Sequence, residues 1–511
     1  MRSRVYITAL LMVAALTPPL KAEPRFTRAQ WMSDIGLTMP LPDGFVANPL
    51  EMPRAEAYLV TEGGRNRLED RFEVLDLWMA MMVRGRWRDN DGNELTIARL
   101  TAALPDEKVG TTATRSEFRR SLQPLAVKDE AARDSAVEAL VPVDLLPPER
   151  VRRNGRRNFL ELWRYPSTNE AVIVYAFRPR SPERREEPEW YMASFICAPG
   201  EEVAKVEECI DEDFLEELSL PAARARTGVV PVCDDKASET DLLAEDYRRN
   251  VVNYSNWHFV RSGDLMITDN LDGYSRLSFI GTLTNELPRL RREYASAVPP
   301  ALADGFHPAA IRVFGSREEY LAYVGVEARW TGAIWSPIRR ELVLYLSENG
   351  VEELLRTVWH EAFHQYLSYA GSMISSSPWL NEGHAELFEN SHFDGNGRLV
   401  YDCEAERTSF VNINAVKLAQ AIPGLLTMDY DDFYEGDQGA RKIKYWLAWS
   451  IAYFLQVGAP EVRFRPFEKT RAEYLAELIR TRSAKAATQK VLAGEQLDDF
   501  IAEWLKFWRK E

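Results

Sequence analysis

Two histidines and a glutamate are spaced for metal chemistry in the segment Trp359-His360-Glu361-Ala362-Phe363-His364. Histidines four apart in a helix share one face, one turn above each other, so both imidazoles reach a single ion. Glu361 stands about 100° round from His360, beside such an ion rather than on it. That is the station of a base that takes a proton from an activated water. A catalytic zinc needs three protein ligands and an open position, so a third ligand must come from elsewhere. The stretch Trp379-Leu380-Asn381-Glu382-Gly383-His384-Ala385-Glu386 supplies carboxylates within folding-back distance. Glu382 is the expected third ligand of one Zn2+ ion. Glu386 follows one turn later on the same face and is expected to accept the free ring N–H of a ligand histidine. His384 points roughly 200° away from Glu382 and is expected to stay off the metal. A third histidine six residues after His364 would be the other common solution, but that position is Ala370.

These residues need two helices to carry them. Acidic Glu352 and Glu353 suit a first helical turn, where the helix dipole favours them. Leu355, Trp359, Ala362, Phe363, Tyr366 and Leu367 then recur at helical spacing, and Gly371 is a stop. Residues 371–378 form a turn-rich connection, and the helical pattern resumes at Trp379. Upstream, Glu341 to Leu346 alternates as a strand. Ala310 to Phe314 has the pattern of a buried strand, and Ser316 to Glu319 that of a capping box opening a short helix. Leu283, Leu287, Leu290 and Tyr294 share one face of a helix over 283–297. Pro288 inside it suggests a later start. Helical patterns also cover 415–421, 443–456, 471–480 and 497–508. His392 is near in sequence but is set aside, because Glu382 completes the ligand set.

The H-E-x-x-H segment followed by Trp379-Leu380-Asn381-Glu382-Gly383 resembles the gluzincin metallopeptidases, which include thermolysin-like enzymes and the zinc aminopeptidases. The resemblance implies His360, His364 and Glu382 as zinc ligands and Glu361 as general base. The stretch Tyr445-Trp446-Leu447-Ala448-Trp449-Ser450-Ile451-Ala452-Tyr453-Phe454-Leu455 resembles the aminopeptidase branch. There a tyrosine opening such a helix stabilises the tetrahedral intermediate, which implies Tyr445 as an oxyanion donor. The G-x-M-E-N strand that captures a substrate amino terminus in that branch is absent. Thr331-Gly332-Ala333-Ile334-Trp335-Ser336-Pro337 stands upstream instead. From about Asp241 onward the chain is similar to secreted bacterial peptidase-MA-like proteins of unassigned function. The shared features are a glycine-led turn and strand before the zinc helix, and a Y-x-x-x-W-[AS] helix after it. The resemblance further implies that the strand Glu341 to Leu346 lies at the cleft, where extended peptide adds to its edge.

The chain has 511 residues, enough for two or three domains, and 46% are apolar, enough for a sizeable core. The net charge of −15 argues against nucleic acid and anionic lipid as partners. Residues 1–22 combine basic Arg2 and Arg4, an apolar run to Leu20 and a small residue before a polar start, the pattern of a signal peptide. The expected location is therefore periplasmic or extracellular, with no membrane span after cleavage. Residues 23–225 are strand-rich. Arg84 to Arg88 and Glu94 to Ile97 flank an Asp89-to-Asn93 turn, and Phe159 to Tyr165 pairs with Ala171 to Phe177. A charged, proline-broken run covers 178–189 and a further strand 190–197. Residues 226–240 form a linker, and 241–511 the zincin-like domain. Cys197, Cys209, Cys233 and Cys403 permit two disulfides and three pairings.

The expected fold is thus α+β, with a strand-rich N-terminal domain, a small sheet and a mainly helical C-terminal part. The expected activity is hydrolysis of peptide or protein substrates by metal-activated water. The alternatives are a weakly active or inactive zinc-containing envelope binding protein and a hydrolase of a non-peptide amide.

Overall fold

The structure is a computed structural model. It describes residues 28–32, 37–41, 44–49, 59–62, 65–68, 83–90, 92–100, 149–154, 159–165, 172–177, 191–196, 238–300, 308–325, 331–337, 339–346, 351–461 and 469–509, with isolated residues between. The leader-like segment, the run 178–189, nearly all of the linker, Cys197, Cys209 and Cys233 lie outside the described residues. Cys403 is described, exposed and not in a disulfide. The chain is α+β and divides into two compact units, Met1–Lys236 with Arg249–Ser255, and Ala237–Arg248 with Asn256–Glu511.

The first unit holds an antiparallel sheet of seven strands. They are β3 (Val46–Ala47), β6 (Val83–Arg88), β7 (Glu94–Arg99), β8 (Glu149–Asn154), β9 (Phe159–Tyr165), β10 (Val172–Phe177) and β11 (Tyr191–Ile196). Their order is β3-β6-β7-β11-β10-β9-β8. Two hairpins stand apart from it, β1 (Arg28–Met32) with β2 (Leu37–Leu41) and β4 (Leu59–Glu62) with β5 (Arg65–Leu68). Both expected hairpins in the large sheet form, β6 with β7 and β9 with β10. Asp89 closes the first turn by accepting from the backbone N–H of Asn93 at 2.8 Å. A Cβ at Gly85 would meet the Trp87 ring at 2.2 Å. The missing side chain lets the buried indole lie over its own strand, where the ladder register also shifts.

The second unit is built on a sheet of order β12-β13-β14-β16-β15. Its strands are β12 (His258–Ser262), β13 (Leu265–Asp269), β14 (Ala309–Phe314), β15 (Ala333–Ser336) and β16 (Glu341–Tyr345). The inner three are parallel, and their runs Leu265–Asp269 and Ala309–Phe314 are buried throughout, as strands covered on both faces must be. The outer two are antiparallel. The strand from Glu341 is therefore interior, contrary to the expectation that it forms the cleft edge. Ala333–Ser336 is the edge. Burial on both sides of Glu341 is satisfied by Arg312, whose guanidinium lies 2.9 Å away with both side chains fully buried, and by the Tyr323 hydroxyl at 2.6 Å.

Helix α1 (Glu239–Val251) precedes β12, α2 (Gly273–Ala297) crosses from β13 to β14, and α3 (Arg317–Val324) follows β14. Ser316 caps α3 by accepting from Glu319 N–H, as its sequence predicts. Helix α2 starts ten residues before the expected Leu283 and runs through Pro288. An internal proline costs a helix about 3 kcal/mol. Here Leu283, Leu287, Leu290 and Tyr294, each at most 2% exposed, bury a continuous stripe that offsets it.

Helix α4 (Val351–Ala370) carries His360 and His364, and α5 (Pro378–Glu389) carries Glu382. Proline at the first position of α5 suits a helix start, and Gly371 ends α4 by bonding back to Leu367 O at 2.9 Å. Helix α4 is fixed to the sheet through Gln365, which donates to Ala310 O at 2.9 Å. Tyr294 of α2 donates to Trp359 O at 2.7 Å. A short hairpin of β17 (Ser391–Phe393) and β18 (Leu399–Tyr401) leads to α6 (Ala405–Thr427), α7 (Tyr430–Tyr434) and α8 (Gln438–Tyr453). Helices α9 (Thr470–Thr481), α10 (Ala484–Val491) and α11 (Glu495–Trp508) complete the chain. Helix α8 begins five residues before the expected Ile443, capped by Asp437, and passes into a wider π turn at Phe454–Gly458. Among the described residues, no helix is long and apolar enough to cross a membrane.

Candidate metal centre

Helices α4 and α5 lie against each other, and their facing side chains converge on one point. The Nε2 atoms of His360 and His364 stand 3.6 and 3.7 Å from the same carboxylate oxygen, Oε2 of Glu382. Ligand atoms held about 2.0–2.1 Å from a tetrahedral zinc stand roughly 3.4 Å apart. Both imidazole-to-carboxylate distances are close to that spacing. The two imidazoles keep 14% and 13% of their surface and Glu382 keeps 3%, so solvent reaches the ring side of the cluster.

The ring nitrogens turned away from this point are both occupied. His360 Nδ1 lies 2.8 Å from Glu389 Oε2, and His364 Nδ1 lies 2.8 Å from Asn381 Oδ1. Both partners are acceptors, which places the proton on Nδ1 and leaves each Nε2 lone pair for a metal. Asn381 is held in turn, donating from Nδ2 to the Tyr430 hydroxyl at 2.6 Å. The remaining oxygen of Glu382, Oε1, accepts from the Tyr434 hydroxyl at 2.7 Å.

Charge on these groups has the pattern of a cation cage. Burial opposes a charged His360, but the carboxylates of Glu382 and Glu389 outweigh it and raise the ring well above its ordinary value. Burial likewise works against an ionised Glu382. The two imidazoles and the Tyr434 hydroxyl nevertheless hold its carboxyl down at about 2.

Glu361 sits beside this cluster, not in it. Its Oε2 accepts from the backbone N–H of Trp335 on β15 at 2.7 Å. Gly332 O takes the N–H of Tyr345. By the alternation of an antiparallel pair, Ala333 and Trp335 then turn their backbone groups away from β16, toward the open edge. The Trp335 indole donates to Ser368 Oγ at 2.9 Å, which ties the edge strand to α4. Ligand atoms of His360, Glu361 and His364 also come within 4.8 Å of one another, as do those of His360, Glu386 and Glu389. Glu382 is assigned in preference to either carboxylate because one of its oxygens faces both Nε2 atoms.

Gly383 explains why the glutamate is followed by glycine. A Cβ there would lie 2.5 Å from the carbonyl oxygen of Ala448, so α8 can cross α5 closely only over a bare backbone. Trp379 anchors the start of α5, fully buried and donating to Thr488 Oγ1 of α10 at 3.1 Å.

The structure brings together His360, His364, Glu382 and Glu361. Glu386 takes a different place from the expected one. It pairs with Arg407 of α6 at 2.8 Å, and the bond expected of it, to a ligand histidine, is made by Glu389, nearly one further turn along the same face. Burial and then the nearby Glu389 raise the Glu386 carboxyl, against the pull of Arg407. Tyr445 lies mid-helix on α8, packed edge-on against Phe433 at 5.0 Å and beside the Tyr434 ring at 6.5 Å. Burial and the Glu382 charge raise both tyrosine hydroxyls, which stay protonated as donors. His384 stays off the cluster, bonding Leu380 O at 2.9 Å, and His392 bonds exposed Asp402 at 2.6 Å. Burial, reinforced by Arg471, lowers His384 to about 3.

Sequence reasoning missed Glu389, Asn381, Tyr430, Tyr434 and the Trp335 N–H. Glu389 had a signal, its position seven residues after Glu382 on the same helical face. The tyrosines had none, because α7 reaches the site only through the tertiary fold. No family model, curated protein or solved structure matches the chain.

Proposed function

We propose that this protein is a zinc-dependent peptidase of gluzincin type, exported to the periplasm or beyond. The observation that carries the reading is the convergence of His360 Nε2 and His364 Nε2 on Glu382 Oε2, with Glu361 poised alongside. The leader pattern in residues 1–22 supports export.

His360, His364 and Glu382 would hold a zinc ion, which would supply Lewis acidity toward a water and the scissile carbonyl. The chain's own residues do the rest. Glu361 takes the proton of the attacking water and delivers it to the leaving nitrogen. The Trp335 N–H aims that carboxylate, so the base does not swing into the ligand set. The outward backbone groups of Ala333 and the outward carbonyl of Trp335, whose N–H is already given to Glu361, offer pairing to an extended peptide, which binds with little demand on its sequence. Tyr445, expected from the resemblance, donates to the oxyanion that develops as the carbonyl is attacked. Glu389 and Asn381 hold the imidazoles in the tautomer that presents Nε2.

Digestion of a broad peptide library, with and without chelator, tests the reading. Internal cleavages that vanish with chelator and return with zinc are expected. Bound zinc with no cleavage of any peptide would overturn the peptidase assignment.

A further inference from the structure

The Glu382 carboxylate is divided between two tasks. Oε2 faces both imidazoles, at 3.6 and 3.7 Å, while Oε1 takes the only hydroxyl proton of Tyr434 at 2.7 Å. A carboxylate gripping a metal through both oxygens fills an additional coordination position. One gripping through a single oxygen leaves that corner for water or substrate. We propose that Tyr434 is a positioning residue that holds Glu382 to one-oxygen ligation and so keeps a corner of the metal site open. The inference rests on the metal-site reading above and concerns how this chain shapes that site.

The construction of α7 supports it. This helix has five residues, too few to persist without tertiary support. Its first and last residues, Tyr430 and Tyr434, lie one turn apart on one face. They meet two consecutive residues of α5, Tyr430 receiving the side-chain N–H of Asn381 and Tyr434 donating to Glu382. One short helix thus braces both the carboxylate ligand and the amide that orients His364.

Other contacts fix α7 at both ends. Asp429 caps it, accepting from Asp432 N–H at 2.9 Å. Lys444 donates to Asp432 O at 2.5 Å and Glu435 O at 2.9 Å, satisfying carbonyls at the opposite end. Phe433 is fully buried and packs edge-on against Tyr434 and Tyr445. Tyr434 itself is 43% exposed, so removal of its hydroxyl costs no core packing.

The test uses the full chain loaded with cobalt(II), whose visible absorption is strong in a four-coordinate tetrahedral site and weaker at five-coordination. Wild type is expected to give the intense tetrahedral bands. Tyr434→Phe is expected to lose much of that intensity and to raise the zinc dissociation constant roughly tenfold, measured by competition with a chromophoric chelator. Tyr445→Phe, whose hydroxyl does not bond Glu382, is expected to keep the bands. Far-UV circular dichroism checks that each variant is folded. A Tyr434→Phe spectrum and zinc affinity equal to wild type would overturn the role of Tyr434 and leave the metal site standing. Weak five-coordinate bands in wild type would also overturn it. If wild type gave no cobalt bands, or His360→Ala left them unchanged, the metal-site reading would fail and this inference with it.

Discussion

Glu389 Oε2 stands 2.8 Å from His360 Nδ1, while Glu386, one turn earlier on the same helix, spends its charge on Arg407. The two acids should therefore separate in their effects. Glu389→Ala is expected to weaken zinc binding about 10- to 100-fold with little change in melting temperature. Glu386→Ala leaves Arg407, 7% exposed, with only the looser Glu404 carboxylate at 3.8 Å, and is expected to destabilise the fold by roughly 1–3 kcal/mol. Zinc competition and thermal melting on both variants check this. The reverse pattern would return the histidine-orienting role to Glu386.

Gly383→Ala tests the crossing of α5 and α8. Its Cβ would sit 2.5 Å from Ala448 O and 2.8 Å from Ala448 C, both backbone atoms that cannot step aside. Overpacking of this kind costs about 1–3 kcal/mol. The next residue back is Glu382, so the displaced helix should also weaken zinc binding. Melting and zinc competition read the two effects, and a variant unchanged in both would mean that the helices are not closely locked there.

The legible part of this chain was the part encoded locally. Histidines four apart announce a shared helical face, and Glu382, with seventeen residues between it and His364, lies on the next helix. The cap at Ser316 and the turn at Asp89 were likewise readable, because a few neighbouring residues decide them. What was missed depends on distant partners. The resemblance implied a cleft-edge place for the strand from Glu341, yet Arg312 from β14 makes its buried glutamate tolerable inside the sheet. Pro288 argued for a late helix start, but an apolar stripe running on both sides of it held the helix together. Glu386 had the better spacing for orienting a histidine, and Arg407, from α6, drew it away.

Glu361→Gln keeps the shape of the side chain and removes its capacity to carry a proton. Zinc content is expected to stay at one ion per chain, while peptide cleavage falls about 10²- to 10⁴-fold. Metal analysis and a peptide-cleavage assay on the same sample check this. Cleavage at the wild-type rate would remove Glu361 from the mechanism.

Tyr445→Phe separates a catalytic hydroxyl from a packing ring. The ring remains against Phe433, 5.0 Å away, so the fold should be unaffected. If the hydroxyl meets the developing oxyanion, kcat should fall roughly 10²- to 10³-fold while KM changes little. Steady-state kinetics on one peptide reads the split, and an unchanged kcat would make Tyr445 a core aromatic only.

The most direct measurement is anomalous diffraction at the zinc edge from crystals of the protein grown with zinc. One peak is expected, about 2.0–2.2 Å from His360 Nε2, His364 Nε2 and Glu382 Oε2. No peak between α4 and α5, or a peak beside His392 and Asp402 instead, would contradict the metal centre and the hydrolytic reading built on it.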